Sequence, residues 1–150
     1  MIYTLTIKGV YGRYLEEDCT RVLEIAKTAS LYDLHREIQE MMDFDSDHLY
    51  EFFTSRTGHP YHKKGIPGKL DADVFEDDWE ARERSWASIK LEDIWPLEKG
   101  RLYYLFDYGD NWVFSIGKKR GEKEAEEGVS YPRVIKSVGP TPQQYPCYDE

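Results

Sequence analysis

The chain has 150 residues, the size of one ordinary domain, with 40% hydrophobic and 33% charged residues and a formal net charge of −9. Aromatic residues reach 15%, including 12 Tyr and 4 Trp, which excludes a disordered chain because such chains lack large side chains to bury. The negative charge argues against nucleic acid as a direct ligand, since a positive face is needed to displace counterions from phosphates; Lys63-Lys64 and Lys118-Lys119-Arg120 are short basic runs.

No apolar run approaches the ~18 residues of a membrane helix, so no membrane association is expected. The chain starts directly on strand-like residues, without a basic and then apolar leader. Its two cysteines, Cys19 and Cys147, lie far apart and form no CxxC pair, which suits a reducing compartment. A cytoplasmic location is the expectation.

In chain order, Ile2 to Lys8 alternates, with Tyr3, Leu5 and Ile7 on one face and Thr4, Thr6 and Lys8 on the other, the pattern of a half-buried strand. Thr20 to Ala26 reads as its antiparallel partner. Ser30-Leu31-Tyr32-Asp33 has the form of a capping box, and Leu31, Leu34, Ile38, Met41 and Met42 follow at helical spacing, which predicts a helix over 31–42. Asp43 to Asp47 breaks it, and His48 to Thr54 is the third strand. Strand, strand, helix, strand is the opening of a β-grasp-like (ubiquitin-like) unit.

The pattern weakens from about residue 55 to 90, where Gly58, Pro60, Gly65, Pro67 and Gly68 make a loop and an acidic stretch holds Trp79; this region is expected to be an insertion over the surface. Lys90 to Trp95 is one helical turn ended by Pro96. Arg101–Phe106 and Trp112–Lys118 form a hairpin around Gly109. Gly121 to Gly128 is a charged exposed loop, Arg133 to Ser137 a last strand, and about 139–150 a Pro-rich tail. The fold class is α+β in a single domain spanning 1–150: a β-grasp N-terminal unit extended by an antiparallel hairpin and a C-terminal strand.

The sequence of landmarks carries a resemblance. Ser46-Asp47-His48-Leu49-Tyr50-Glu51-Phe52, then Leu91-Glu92-Asp93-Ile94, then Tyr104-Leu105-Phe106-Asp107-Tyr108-Gly109-Asp110-Asn111-Trp112 and Tyr131-Pro132-Arg133 together resemble the plasmid pRiA-type ORF-3-like domain family, insertion-element passenger proteins. The likeness covers nearly the whole chain. It implies an α+β fold with a ubiquitin-like region and a mobile-element setting, and implies no established reaction. Tyr50 stands where many members carry a second His, and 139–147 departs from the Cys-Pro-Pro-Glu-Asp-type ending of many members.

Several residues can carry chemistry. Asp107 and Asp110, flanking Gly109, can hold a divalent cation or act as an acid–base pair; equally, Asp, Gly and Asn build a turn that Tyr108 and Trp112 pin to the core. His48 can join the two carboxylates across the sheet in a His/Asp cluster, a metal-dependent hydrolytic reading. His59 and His62, in a Gly/Pro loop, lack a third ligand nearby. The aromatic excess reads either as core or as an aromatic-lined groove for a protein partner. No nucleophile elbow, phosphate-binding Gly loop, HExxH or paired CxxC occurs, and no cofactor is indicated. The leading expectation is a non-catalytic protein-interaction module, with Asp107, Tyr108, Gly109, Asp110, Trp112, His48, Tyr131 and Arg133 as candidate binding residues. A metal-dependent hydrolase and a nucleic-acid-associated accessory protein are the alternatives.

Overall fold

Alternation decides the first hairpin. Tyr3, Leu5 and Ile7 are buried while Thr6 and Lys8 face solvent, and strand β1 (Ile2–Tyr11) pairs antiparallel with β2 (Thr20–Ala26), Leu5 opposite Leu23. The computed structural model describes residues 1–12, 15, 19–45, 49–57, 79–97, 100–107 and 111–142. Helix α1 (Leu31–Met41) begins at the capping box: the Asp33 N–H donates to Ser30 Oγ at 3.1 Å, and the Ser30 N–H donates to Asp33 Oδ2 at 2.9 Å. Its stripe of Leu31, Leu34 and Ile38, extended by Met42 just beyond the helix, is fully buried against the sheet, each side chain contributing about 1.5–3 kcal/mol before entropy is subtracted. Asp43 terminates the run with a left-handed backbone, φ 54°.

The remaining elements are β3 (Tyr50–Ser55), α2 (Trp79–Ala87), a 3-10 turn at Leu91–Asp93, β4 (Arg101–Phe106), β5 (Trp112–Lys118) and β6 (Arg133–Val138). They form one six-stranded sheet in the order β3-β4-β5-β1-β2-β6, every pairing antiparallel. The α+β class holds. The β-grasp expectation is met in element order, since β1, β2, α1 and β3 follow one another. In pairing, β3 lies at the far edge of the sheet, with β4 and β5 between it and the first hairpin.

Two expectations change on packing grounds. The region about 55–90 is not wholly a surface insertion, because α2 brings Trp86 into the core 5.6 Å from Phe52, and Ile89 is buried beside it; residues 58–78 lie outside the described part. Among the described residues, the aromatic side chains of the hairpin do not line a groove; Tyr108 lies outside them. Tyr103, Tyr104, Trp112 and Phe114 are buried, as are Phe52, Phe53 and Trp86, and only Trp95 of those considered is half-buried. Burial on both faces of the sheet accommodates them. Tyr104, Trp112, Phe114 and Phe52 enter the main core, and Phe53 stacks on Tyr103 at 5.6 Å in a second cluster with Leu105 and Val113.

Candidate functional site

The turn of the β4–β5 hairpin is backbone-determined at both described ends. Asp107 and Asn111 have left-handed backbones (φ 64° and 51°), and the Asn111 N–H donates to the Asp107 carbonyl at 2.7 Å. The Asp107 N–H in turn donates to the Leu49 carbonyl at 3.0 Å, fastening the turn to the start of β3. Asp107 is therefore used as a turn former and is 6% exposed. Trp112 is fully buried against Phe44, ring centroids 5.0 Å apart, and its Nε1 has no hydrogen-bond partner. Its ring also sits over Gly12: a Cβ there would lie 2.7 Å from the indole. His48, Tyr108, Gly109 and Asp110 lie outside the described residues. Among the described residues, no three His, Cys, Asp or Glu side chains gather as a metal ligand set.

Tyr131 and Arg133 do not converge on that turn. They stand at the entry to β6, and β5, β1 and β2 separate β6 from β4. Arg133 donates through Nε to Glu24 Oε1 at 2.6 Å and approaches Glu126 at 3.6 Å. Lys123 takes the other Glu24 oxygen. The Lys123 hydrogen bond first, and Arg133 with it, hold the buried Glu24 carboxyl below the usual carboxylate range. The Arg133 guanidinium also lies 5.6 Å from the Tyr131 ring. Farther along, the buried Arg21 donates from Nη1 to the carbonyls of Thr20 (3.0 Å), Val138 (3.1 Å) and Gly139 (3.2 Å), and from Nη2 to Thr141 Oγ1 (3.3 Å). Charged anchors thus hold β6 at both ends.

The side chains of β6 are nonetheless open to solvent. Val134, Ile135 and Val138 are 42%, 48% and 46% exposed, and the strand lies at the sheet edge. The register steps from Leu23↔Val134 to Val22↔Lys136, which makes Ile135 the extra residue of a bulge. A cavity of about 710 Å³ opens beside the strand's entry, walled by Tyr131 and Pro132 on one side and by α1 on the other. The helix side contributes Asp33, Glu37 and Glu40 against one cation, Arg36. Burial first, then Glu40, push the Glu37 carboxyl above its ordinary range.

Sequence reasoning missed a buried polar network on the opposite half of the sheet. His35 Nδ1 and Tyr104 Oη lie 2.6 Å apart, and Gln39 Nε2 donates to the same oxygen at 2.9 Å. With Tyr104 donating to Nδ1, the imidazole proton is assigned to Nε2. The Tyr50 ring stacks on His35, centroids 3.5 Å apart and planes 6° apart, and its hydroxyl donates to Glu83 of α2. Burial pushes the His35 pKa down to about 4 and raises the hydroxyl pKa values of Tyr50 and Tyr104. The available signal was His35 and Gln39 lying one turn apart on the apolar stripe of α1.

Comparisons with known proteins agree with this architecture. No curated protein matches the chain. A crystal structure of a protein of unknown function from Methanosarcina mazei Go1 superimposes with a TM-score of 0.59, covering 91% of this chain and 68% of that one at 23% identity, a likeness of fold. The sequence model of the plasmid pRiA4b ORF-3-like proteins matches residues 11–144. The chain therefore belongs to the plasmid pRiA4b ORF-3-like protein family.

Proposed function

We propose that the protein is a non-catalytic interaction module that accepts an extended segment of another protein along β6. The observation that carries this reading is an edge strand held at both ends that exposes Val134, Ile135 and Val138 along its length. An edge strand offers backbone N–H and C=O groups to an incoming strand, which supply affinity, while alternate side chains supply specificity. The cavity beside Tyr131 and Pro132, with three carboxylates to one guanidinium, favours a partner that places a basic side chain there. Tyr131 then works as a rim contact, and Arg133 as an anchor of the strand rather than a donor to the partner.

Selection of extended peptides from a displayed library against the full-length protein tests this reading, with amide hydrogen exchange locating the bound peptide. Selected peptides should alternate apolar and basic residues and slow exchange across Val134–Val138. Peptides that protect another region, or that bind equally well to a Val134→Lys/Ile135→Lys double variant, would overturn it. A stable homodimer that buries β6 in the free protein would also count against it.

A further inference from the structure

A second site lies at the rim of the sheet where β4 begins and β5 ends. Glycine at position 117 is unexplained by the fold. It lies inside β5 with no positive φ, pairs in regular register with Thr6, and a Cβ added to it would meet nothing within 4 Å. A glycine within a strand costs backbone entropy, and where neither a bulge nor a bend requires it, close approach by another group is one reason to keep it. Gly117 forms part of the floor of a cavity of about 760 Å³, the size that holds a small organic ligand.

The walls of this cavity are chemically divided. Trp95, half-buried, stands edge-on to Tyr3 at 6.2 Å and offers an aromatic surface beside Pro96. Lys8 and Arg101 are exposed, and among the described residues neither has a carboxylate partner, in a chain with nine surplus negative charges. Lys118 is held in place, its Nζ donating to the carbonyls of Lys119 and Gly121 and lying 4.6 Å from the Tyr3 ring centroid. Glu122, the carboxylate on the rim, is engaged by Lys27 at 3.4 Å.

We infer that this groove binds a small anionic ligand with a planar ring, of the mononucleotide class. The ring lies against Trp95, and the phosphate is drawn to Lys8 and Arg101 over the open floor at Gly117. Ser115, opposite Lys8 in register, contributes a hydroxyl to the same cavity. This site is separate from the β6 edge and stands whether or not that edge binds a partner.

Titration of the ¹⁵N-labelled full-length protein with AMP tests the inference, with adenosine and inorganic phosphate as separate probes. AMP should give saturable shifts at the amides of Thr6, Lys8, Ser115 and Gly117, and each half-ligand should bind roughly tenfold or more weakly. The Gly117→Val variant should lose AMP binding by roughly tenfold or more while its melting temperature holds or rises, because valine suits a strand and its side chain meets no neighbour. Three results would overturn the inference: no saturable shift with millimolar AMP, binding unchanged in Gly117→Val, or phosphate alone acting as strongly as AMP.

Discussion

The two edges of the sheet are made by opposite means. All six residues of β3 are buried, and its side chains are bound into the core: Tyr50 stacks on His35 and bonds Glu83, while Phe52 meets Trp86 and Tyr104. In β6 five of six residues are exposed, and beyond its pairing with β2 the strand is held by an ion pair at one end and by Arg21 hydrogen bonds to carbonyls at the other rather than by its own apolar residues. An edge packed into the core contributes stability; an edge fixed by charge contributes accessible backbone. Natural sheets treat an exposed edge as a hazard, blunting it with a bulge and an inward or flanking charge. Here Ile135 supplies the bulge and Lys136 the charge. Both are features that oppose indiscriminate edge-to-edge pairing.

Substitutions separate the two edges. The largest effect is expected at β3: Phe52→Ala should cost about 3–5 kcal/mol by urea unfolding, because its cavity would open inside a packed aromatic cluster. An effect under 1 kcal/mol would mean that β3 is not sealed.

The next effect concerns pH. His35 is neutral in the folded protein with a pKa of about 4, against about 6.5 unfolded, so the unfolded state binds the additional proton between these values. Stability is complete above pH 6.5 and falls as the pH drops toward 4, by about 3 kcal/mol from this group. Glu24, whose carboxyl lies below its ordinary range, contributes stability that is complete above about pH 4.5 and is lost progressively below that value, so its loss overlaps only the acid end of the His35 window. Unfolding curves from pH 7 to 4 should therefore show the β3 side weakening first, and His35→Gln should flatten the slope.

A smaller loss, about 1–3 kcal/mol, is expected for Tyr104→Phe, which removes the oxygen shared by His35 and Gln39. Smallest is Val134→Thr on β6, expected within about 0.5 kcal/mol because the residue is already exposed. A larger cost would show that β6 is integral to the core and would undermine its reading as a docking edge.

Periodicity made much of this fold legible in the sequence. The alternation of Tyr3, Leu5 and Ile7, the capping box at Ser30 and Asp33, and the hairpin from Arg101 to Lys118 all announce themselves within a few residues. Long-range choices are not written so locally. Nothing in Tyr50–Ser55 specifies pairing with β4 rather than with the first hairpin, because an antiparallel partner is selected by which faces are buried once the whole chain has packed. The aromatic residues showed the same limit. Sequence reveals that Tyr103 and Phe53 are large and apolar, but not that the sheet buries both faces there. Asp107 was readable as a turn former from its neighbours. Tyr131 and Arg133 stood out only as part of the family resemblance, and only the strand order showed that they belong to the opposite end of the sheet. His35 was overlooked because a histidine among leucines carries no local mark of its partners, which come from β3 and β4.

The ion pairs at Glu24 join residues far apart in the chain, Arg133 being 109 positions from Glu24, and the Arg21 bond to Val138 spans 117. Closing loops of that length is among the slowest contributions to folding, and during synthesis β6 emerges after every other strand of the sheet. Without β6, β2 is the edge of a five-stranded sheet, with Glu24 left to Lys123 alone and Arg21 without its acceptors at Val138, Gly139 and Thr141. Adding β6 to that edge is a strand addition within one chain, fixed by the Glu24 carboxylate at one end and the Arg21 guanidinium at the other.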